Sequence, residues 1–266
     1  MLPEGTLNGQ VAVVTGGGTG LGRAMALEFA RLGASLVLAS RQAEHLEPAA
    51  REIRERGGRA LAVPTDVRQP EQVDRLVEET LREFGRVDIL VNNAAGNFIC
   101  RAEDLSPNGW RAVVDIVLNG TFFCSRAFGR QMIARKQGGR ILSILATYAW
   151  TGGPGTIHSA SAKAGVMAMT RTLAVEWARH GIRVNAIAPG AIPTEGAWSA
   201  LLSDPAAEER ARRSIPTGRF GTQQELANAA AFLVSPYADY INGEVLTLDG
   251  GAWLGRGFLR FQDSAE

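Results

Sequence analysis

The stretch VAVVTGGGTGLGRAM, residues 11–25, decides the fold. A short apolar run rich in valine leads into a glycine-rich turn, and an amphipathic segment follows directly. Gly16, Gly20 and Gly22 stand in the turn with the spacing G-x3-G-x-G. Glycines here let the backbone turn sharply and approach a pyrophosphate, whose charge meets the free N–H groups at the helix start. The stretch therefore predicts a dinucleotide-binding strand, turn and helix, with a turn that serves packing alone as the alternative.

The same alternation of strand and helix continues along the chain. Short apolar runs, most of them rich in β-branched residues, occur at residues 11–15, 35–39, 60–63, 87–92, 140–144, 183–188 and 244–248. Segments with apolar residues at helical spacing lie between them, including 20–32, 43–56, 69–84 and 159–180. Because parallel strands need right-handed crossovers, the pattern predicts an α/β fold. We expect one doubly wound, Rossmann-type domain over residues 1–266, with about seven parallel strands flanked by helices.

Composition and charge narrow the class of protein. The chain has 266 residues, of which 45% are hydrophobic, and a formal net charge of +1, so no nucleic-acid partner is expected. Cys100 and Cys124 lack metal or disulfide spacing, and His45 and His158 have no partner at metal-ligand spacing. We therefore expect no metal, and both histidines exposed. No apolar run of membrane-spanning length and no targeting signal stand out, which favours the cytoplasm and no membrane partner.

The end of the second predicted strand bears on the choice of dinucleotide. Sites for NAD commonly have an acidic residue there, whereas this chain has Ser40 and Arg41. A guanidinium suits a 2′-phosphate, so Arg41 favours NADP(H), with a solvated surface arginine as the alternative. Asp66 follows the third strand, where it either accepts from the adenine amino group or caps the next helix. Residues 189–217 mix proline, glycine and charged residues, and predict either a substrate lid or a plain surface excursion.

Several motifs occur in order between residues 8 and 253: TGGGTGLG (15–22), Asp66-Val67, NNAAG (92–96), Asn119, Lys163 and Pro189-Gly190. Together they resemble the short-chain dehydrogenase/reductases. The resemblance implies a homotetramer, built through the long helices after the fourth and fifth strands and the last strand region. It also implies that NADP(H) is bound by Gly16, Gly18, Thr19, Gly20, Leu21, Arg41, Asp66, Val67, Asn93, Lys163, Pro189, Gly190 and Ile192.

One departure from this family concerns its acid residue. The family's Tyr-x-x-x-Lys pattern would place tyrosine at 159, but this chain has Ser159 four residues before Lys163. The serine that usually precedes that tyrosine is also missing, since residues 143–147 read SILAT. A serine hydroxyl is far too weak an acid to replace a phenol, whose unperturbed pKa is about 10. Ordinary carbonyl reduction is therefore not expected.

A second set of motifs accompanies the missing tyrosine at position 159. The segments NNAAGNFI (92–99), LSPNGW (105–110), DIVLNGTF (115–122), TYAWTG (147–152), HSASAK (158–163) and 218–251 resemble the mitochondrial-type 2,4-dienoyl-CoA reductases. The resemblance implies reduction of 2,4-dienoyl-CoA to 3-enoyl-CoA by NADPH in unsaturated fatty acid β-oxidation. It implies that the tyrosine comes from the loop after the fifth strand. The implied catalytic residues are Tyr148, Asn97, Lys163, Ser159 and Asn119.

Each of these residues has an ordinary alternative role. Tyr148 and Asn97 would donate to a thioester oxygen that gains negative charge, but Tyr148 could only pack its ring and Asn97 could be a turn residue. Lys163 would hold the nicotinamide ribose. Ser159 would orient Lys163 or Tyr148, or instead cap a helix. Asn119, within a helix with a local kink, would support the lysine through water.

Four residues bear on the substrate pocket. The resemblance implies that Phe98 lines the acyl slot and that Arg41, Arg68 and Ser106 contact the CoA portion, although each is also an ordinary surface residue. Two other functions stay open. The chain could reduce another activated carbonyl or enone with the same relocated tyrosine, or it could be a non-catalytic NADP-binding homologue. The retention of Lys163, Asn119 and Asn97 together speaks against the non-catalytic homologue.

Overall fold

Seven parallel strands form the sheet in the computed structural model, which describes residues 2–194 and 205–255. The strands are β1 Val11–Thr15, β2 Ser35–Ser40, β3 Ala60–Pro64, β4 Ile89–Asn92, β5 Gly139–Ile144, β6 Ile182–Pro189 and β7 Val245–Leu248. Their order across the sheet is β3-β2-β1-β4-β5-β6-β7. The predicted doubly wound α/β fold is confirmed.

Helices connect the strands and cover both faces of the sheet. They are α1 Gly20–Arg31, α2 Ala43–Glu55, α3 Pro70–Phe84, α4 Pro107–Val114, α5 Gly120–Arg135, α6 Tyr148–Thr151, α7 Ile157–Trp177, α8 Pro205–Arg213 and α9 Gln223–Val234. A π-helical segment, Asp115–Asn119, joins α4 to α5. The predicted lid at 189–217 includes residues 195–204, which lie outside the described residues.

The largest boundary differences from the sequence prediction are in one helix and one strand. The helix predicted at 159–180 begins earlier, at Ile157, and its last turn is a 3-10 turn that Gly181 ends with a left-handed φ of 71°. The strand predicted at 87–92 begins at Ile89. Asp88 precedes it and turns its carboxylate to the backbone N–H of Val11, at 2.9 Å.

The sheet is buried on both faces, and this explains its valine-rich strands. In β1, Ala12 and Val14 belong to the core beneath α1, α2 and α9. Val11 and Val13 belong to the core beneath α3 and α5. Strands buried on both faces read as continuous apolar runs rather than as alternating patterns, as residues 11–14 do.

One helical segment is long and apolar, although the sequence predicts no apolar run of membrane-spanning length. Pro107–Arg135 spans 29 residues, and its most apolar 18-residue part has a mean hydropathy of 1.2, enough to cross a membrane by length and composition. Half of its most apolar part is buried inside the protein. Cys124, Phe128 and Met132 of this segment pack in the core against the sheet. Its apolar face is therefore accounted for by packing within the domain.

The order of the strands indicates where a ligand would bind. The order reverses at β1, because β2 and β4 lie on either side of it and their connecting helices leave to opposite faces. In open α/β sheets, ligands bind in the crevice at the carboxyl ends of the strands at such a point. Thr15 and Asn92 are the last residues of β1 and β4 at this edge.

Candidate active site

The glycine-rich turn after β1 requires glycine at the three positions predicted from its spacing. Gly16 and Gly20 have φ values of 64° and 51°, in the left-handed region that disfavours other residues. A Cβ on Gly22 would lie 2.1 Å from the carbonyl oxygen of Gly16. Any side chain at Gly22 would therefore push the first turn of α1 away from the glycine-rich turn.

A cavity of about 460 Å³ opens beside this turn. It brings together nine of the predicted cofactor-binding residues: Gly16, Thr19, Gly20, Leu21, Arg41, Asp66, Val67, Asn93 and Ile192. Sequence reasoning missed eight further lining residues: Ser40, Gln42, His45, Thr65, Ala94, Ala95, Ile116 and Thr194. Four of them stand next to a predicted residue that follows a strand, which is the signal that would have found them: Ser40, Gln42, Thr65 and Ala94. The other predicted residues, Gly18, Lys163, Pro189 and Gly190, do not line this cavity.

The start of α1 is suited to a pyrophosphate. Thr19 is the N-cap, and its side chain makes no capping hydrogen bond to a described residue. The first turn of the described helix holds no acidic residue. The N–H groups of this turn and the positive end of the helix dipole are thus left for an anion in the cavity. Residues and cavity fit a dinucleotide, which a volume of this size can admit.

Asn93 holds the glycine-rich turn to the end of β4. Its side-chain N–H donates to the carbonyl of Thr15 at 2.9 Å and to that of Gly16 at 3.2 Å. The Thr15 hydroxyl accepts from the backbone N–H of Asn93 at 2.9 Å and of Ala94 at 3.0 Å. These bonds fix the cavity wall before any ligand binds.

Asp66 and Arg68 form an ion pair at the cavity edge. The Arg68 guanidinium donates to both carboxylate oxygens of Asp66, at 2.6 Å in the shortest contact, and thereby lowers the pKa of Asp66. Gln69, not Asp66, is the N-cap of α3, so the capping alternative for Asp66 is wrong. Asp66 is ionised at neutral pH and can accept a hydrogen bond. Arg68, predicted to contact CoA, already has a protein partner for part of its charge.

Tyr148 and Ser159 meet through their hydroxyl groups. Tyr148 begins the one-turn helix α6 rather than lying in a plain loop, and its phenol oxygen is 3.0 Å from Oγ of Ser159. Ser159 is buried in the first turn of α7, whose N-cap is Thr156. Ser159 is therefore not a helix cap. Of the two partners considered for its hydroxyl, Tyr148 is the one that the structure shows.

Lys163 lies one turn further along α7, on the same helix face as Ser159. Its side chain is buried, and its ammonium group donates to the carbonyl of Ile144, the last residue of β5. Burial lowers the pKa of Lys163 to about 8. The amine is thus held at the carboxyl edge of the sheet, with a charge that titrates near neutral pH.

The kink implied by the resemblance is present at Asn119. This residue ends the π-helical segment, and its amide donates to the Asp115 carboxylate at 2.8 Å. Such π-helical turns are frequent at functional sites. Leu118 of the same segment packs on α7, since a Cβ on Gly165 would lie 2.9 Å from Cδ1 of Leu118. The segment thus approaches α7 two residues beyond Lys163.

Asn97 lies exposed on the loop after β4. Its amide oxygen accepts the backbone N–H of Phe98 at 3.0 Å. Among the described residues its amide nitrogen has no hydrogen-bond partner, so its N–H groups are free to donate. The backbone N–H of Cys100 donates to the carbonyl of Gly155 at 2.9 Å, which ties this loop to the segment between α6 and α7.

The loop after β4 contacts α7 through the ring of Phe98, and it leads into α4, whose first turn is capped by Ser106. The Phe98 ring is 42% exposed and meets the ring of His158 edge to face at 4.5 Å between centroids. His158 is completely buried, so the expectation of an exposed histidine is wrong. It is wrong because the first turn of α7 faces inward under Phe98. Ser106 caps α4 by accepting from the N–H of Gly109 at 3.0 Å, a local role that the sequence reading did not consider.

Fold and site together define a nicotinamide-dependent oxidoreductase, and known proteins agree. A family model described as enoyl-(acyl carrier protein) reductase matches residues 16–252. A Bacillus subtilis protein named a probable 2,4-dienoyl-CoA reductase is 50% identical over 92% of this chain and 97% of that protein. A peroxisomal 2,4-dienoyl-CoA reductase of Danio rerio is 45% identical over 93% of this chain and 83% of that protein.

Solved structures with the same fold are also dehydrogenases. A short chain dehydrogenase of Bacillus anthracis superposes with a TM-score of 0.87 at 51% identity, over 93% of this chain and 97% of that one. An NADP-bound putative gluconate 5-dehydrogenase of Beutenbergia cavernae gives 0.88 at 39% identity, over 95% and 99% of the two chains. The chain belongs to the short-chain dehydrogenase/reductase family. It is an oxidoreductase with a nicotinamide cofactor, which excludes the non-catalytic alternative.

Proposed function

We propose that this enzyme reduces 2,4-dienoyl-CoA thioesters to 3-enoyl-CoA with NADPH, as a step in the β-oxidation of unsaturated fatty acids. The hydrogen bond between the hydroxyls of Tyr148 and Ser159 carries the proposal. The phenol comes from α6, yet its oxygen reaches the helix position from which the family's usual tyrosine acts. The names of the relatives from Bacillus subtilis and Danio rerio support the same substrate class.

The chemistry needs donors at the thioester oxygen. When bound, the nicotinamide supplies a hydride to the far end of the conjugated system, and negative charge then develops on that oxygen. Donors fixed before the reaction stabilise such charge without reorganising. In the proposal, the Tyr148 O–H and the free amide N–H of Asn97 are these donors, and Ser159 orients the phenol.

Lys163 supports the site through its charge. In the proposal, its ammonium group donates hydrogen bonds to the ribose hydroxyls of the cofactor. Its positive charge also stabilises the electron-rich transition state. Its present bond to the Ile144 carbonyl holds the side chain at the strand end from which it would reach them. Asn119 supports Lys163 by fixing the π-helical segment that packs on α7.

The lowered pKa of Lys163 predicts an alkaline limb in the activity. Burial favours the neutral amine, so the charge is lost as pH rises through about 8 rather than through 10.5. The kcat/KM for NADPH, which reports the enzyme without cofactor, should therefore fall about tenfold per pH unit above that value. The measurement is a pH profile of kcat/KM. Lys163→Arg keeps its charge at every accessible pH, so its profile should lack the limb. A wild-type profile that stays flat to a pH of about 9.5 would contradict the role given to this charge.

The substrate side of the proposal uses Phe98 for the acyl chain and Arg41, Arg68 and Ser106 for the CoA portion. Arg41 is exposed, and it has no ion pair within the described ranges. Of the other two CoA residues, Arg68 pairs with Asp66 and Ser106 caps α4. Because Arg68 and Ser106 already have partners within the protein, they are less available to bind CoA. This favours a second candidate function, the reduction of an activated enone that carries no CoA.

One assay tests the proposal against this second candidate. NADPH oxidation should be rapid with a 2,4-dienoyl-CoA and absent with a simple ketone, because ketone reduction in this family uses a tyrosine carried on the helix itself, where this chain has Ser159. The same diene as a thioester without CoA is the matched substrate. Equal kcat/KM for both thioesters would favour the second candidate, and faster reduction of the ketone than of either diene would overturn the proposal.

The position of the double bond in the product is part of the proposal. The Bacillus subtilis relative is named as producing a (2E)-enoyl-CoA and the Danio rerio relative a (3E)-enoyl-CoA. We propose the 3-enoyl product, with protonation next to the thioester carbon from water. Product analysis in the assay above distinguishes the two isomers.

Assembly and location complete the proposal. We infer a homotetramer in the cytoplasm, assembled through the helices after β4 and β5 and through the β7 region. Phe122 on α5 and Val175 on α7 support the assembly, since they expose apolar side chains at 46% and 80%. Both residues are on the helices through which we infer that the subunits assemble.

A further inference from the structure

Two segments of the site are joined by one ring contact. The loop after β4 carries Asn97 and Phe98, and the first turn of α7 carries His158 and Ser159. The rings of Phe98 and His158 lie 4.5 Å apart with an interplanar angle of 84°. We call this the Phe98–His158 contact. Phe98 directly follows Asn97 in the chain, and His158 directly precedes Ser159, the hydrogen-bond partner of Tyr148.

The burial of His158 calls for an explanation. Its side chain is completely buried, and neither ring nitrogen has a hydrogen-bond partner among the residues that the structure describes. Buried polar groups are normally paired, and leaving them unpaired destabilises the fold. A hydrogen bond within the described chain is therefore not what holds this imidazole in place. What it does make is the aromatic contact with Phe98.

Phe98 is held from a second side as well. A Cβ on Gly109, in the first turn of α4, would lie 3.1 Å from Cζ of the Phe98 ring. The ring thus sits between the first turns of α4 and α7. The loop is also tied by the bond from Cys100 to Gly155, and Ile99 packs where Gly155 has no side chain. These contacts leave the Asn97 amide exposed while its neighbour is fixed on the helix that carries Ser159 and Lys163.

We propose that His158 is a positioning residue: through the Phe98–His158 contact it sets the place of the Asn97 amide relative to the Tyr148 hydroxyl. The inference rests on the proposed function, in which both groups donate to one oxygen. Two donors must converge on that oxygen, and a misplacement of about 1 Å at such a site can cost about 10²-fold in rate. His158 does this without touching the substrate.

The test compares a variant that removes the aromatic ring at position 158 with one that keeps an aromatic ring there. His158→Ala removes the contact and should lower kcat for a 2,4-dienoyl-CoA by about ten- to a hundredfold, with the KM for NADPH unchanged. His158→Phe keeps an aromatic edge against Phe98 and removes the unpaired nitrogens, so it should keep kcat within about threefold of wild type. Ile157→Ala is the matched control, because Ile157 is exposed in the same turn and should leave kcat unchanged.

A double-mutant cycle separates positioning from loss of stability. Once Asn97→Ala has removed the donor, adding His158→Ala should lower kcat by less than about twofold more, since nothing is left to position. A full further loss in that background would overturn the inference, as would His158→Phe losing as much as His158→Ala. Wild-type activity on the dienoyl-CoA is measured first. Its absence would sink the proposed function, whereas wild-type activity with an unimpaired His158→Ala variant would sink only this inference.

Discussion

Replacing Tyr148 with phenylalanine is expected to lower kcat for a 2,4-dienoyl-CoA by about 10²–10³-fold, the usual effect of losing one oxyanion donor. The ring of the variant fills the same place on α6, but the O–H that lies 3.0 Å from Oγ of Ser159 is gone. NADPH binding should not change, because Tyr148 does not line the cavity beside the glycine-rich turn. Steady-state kinetics at saturating NADPH measure the effect.

Two controls accompany this variant. Ser159→Ala keeps the phenol but removes the partner that orients it, so a smaller loss of about tenfold is expected. Tyr237→Phe removes a phenol that is 62% exposed on the 3-10 turn Pro236–Ala238, after α9, and should leave kcat unchanged. If Tyr148→Phe kept kcat within about threefold of wild type, Tyr148 would be a packing residue and the relocated acid would be excluded.

The second large effect is expected on the choice of cofactor. Arg41→Asp should shift the ratio of kcat/KM for NADPH over NADH by about 10²-fold or more towards NADH. The guanidinium that suits a 2′-phosphate is replaced by a carboxylate that repels it and can accept from a ribose 2′-hydroxyl. Hydrogen bonds to charged groups contribute about 1.5–3 kcal/mol each, which is enough for this shift.

Arg41→Lys is the matched control for the cofactor variant. It keeps the positive charge at the end of β2 but loses the planar fork, so an intermediate loss of NADPH affinity is expected. Dissociation constants for the two cofactors, measured by fluorescence of the reduced nicotinamide, report this directly. If the NADPH to NADH ratio were the same in Arg41→Asp as in wild type, Arg41 would be a solvated surface residue.

The sequence predicts the fold well because the signals are local. The valine-rich run and the G-x3-G-x-G turn specify β1, its turn and α1 within fifteen residues, 11–25. The apolar character of Pro107–Arg135 has no local explanation, because a composition window counts a buried helix face like any other apolar surface. Burial against a sheet is a tertiary property that a composition window does not contain.

The site is predicted less completely, for a physical reason. The family motifs name Tyr148, Ser159 and Lys163, but nothing local in the sequence states that the hydroxyls of Tyr148 and Ser159 meet. That contact depends on how α6 folds back onto α7. The glycine-rich segment between them, residues 152–155, makes the return possible without specifying it.

The burial of His158 is likewise not predictable from the local sequence. Because His158 has no partner at metal-ligand spacing, the sequence predicts an exposed side chain, and in the structure it is completely buried. Its burial follows from the orientation of the first turn of α7 and from the Phe98 ring that covers it. Phe98 is sixty residues earlier in the chain, so no local pattern joins the two.

The central claim is that a phenol supplied from α6 stabilises the charge of a conjugated thioester. The most direct test is a single-turnover measurement of NADPH oxidation, with enzyme in excess over a 2,4-dienoyl-CoA, for the wild type and Tyr148→Phe. This excludes product release from the observed rate. The account predicts a rate constant at least about 10²-fold lower in the variant, with the same NADPH dissociation constant. Equal single-turnover rate constants for the two proteins would contradict it.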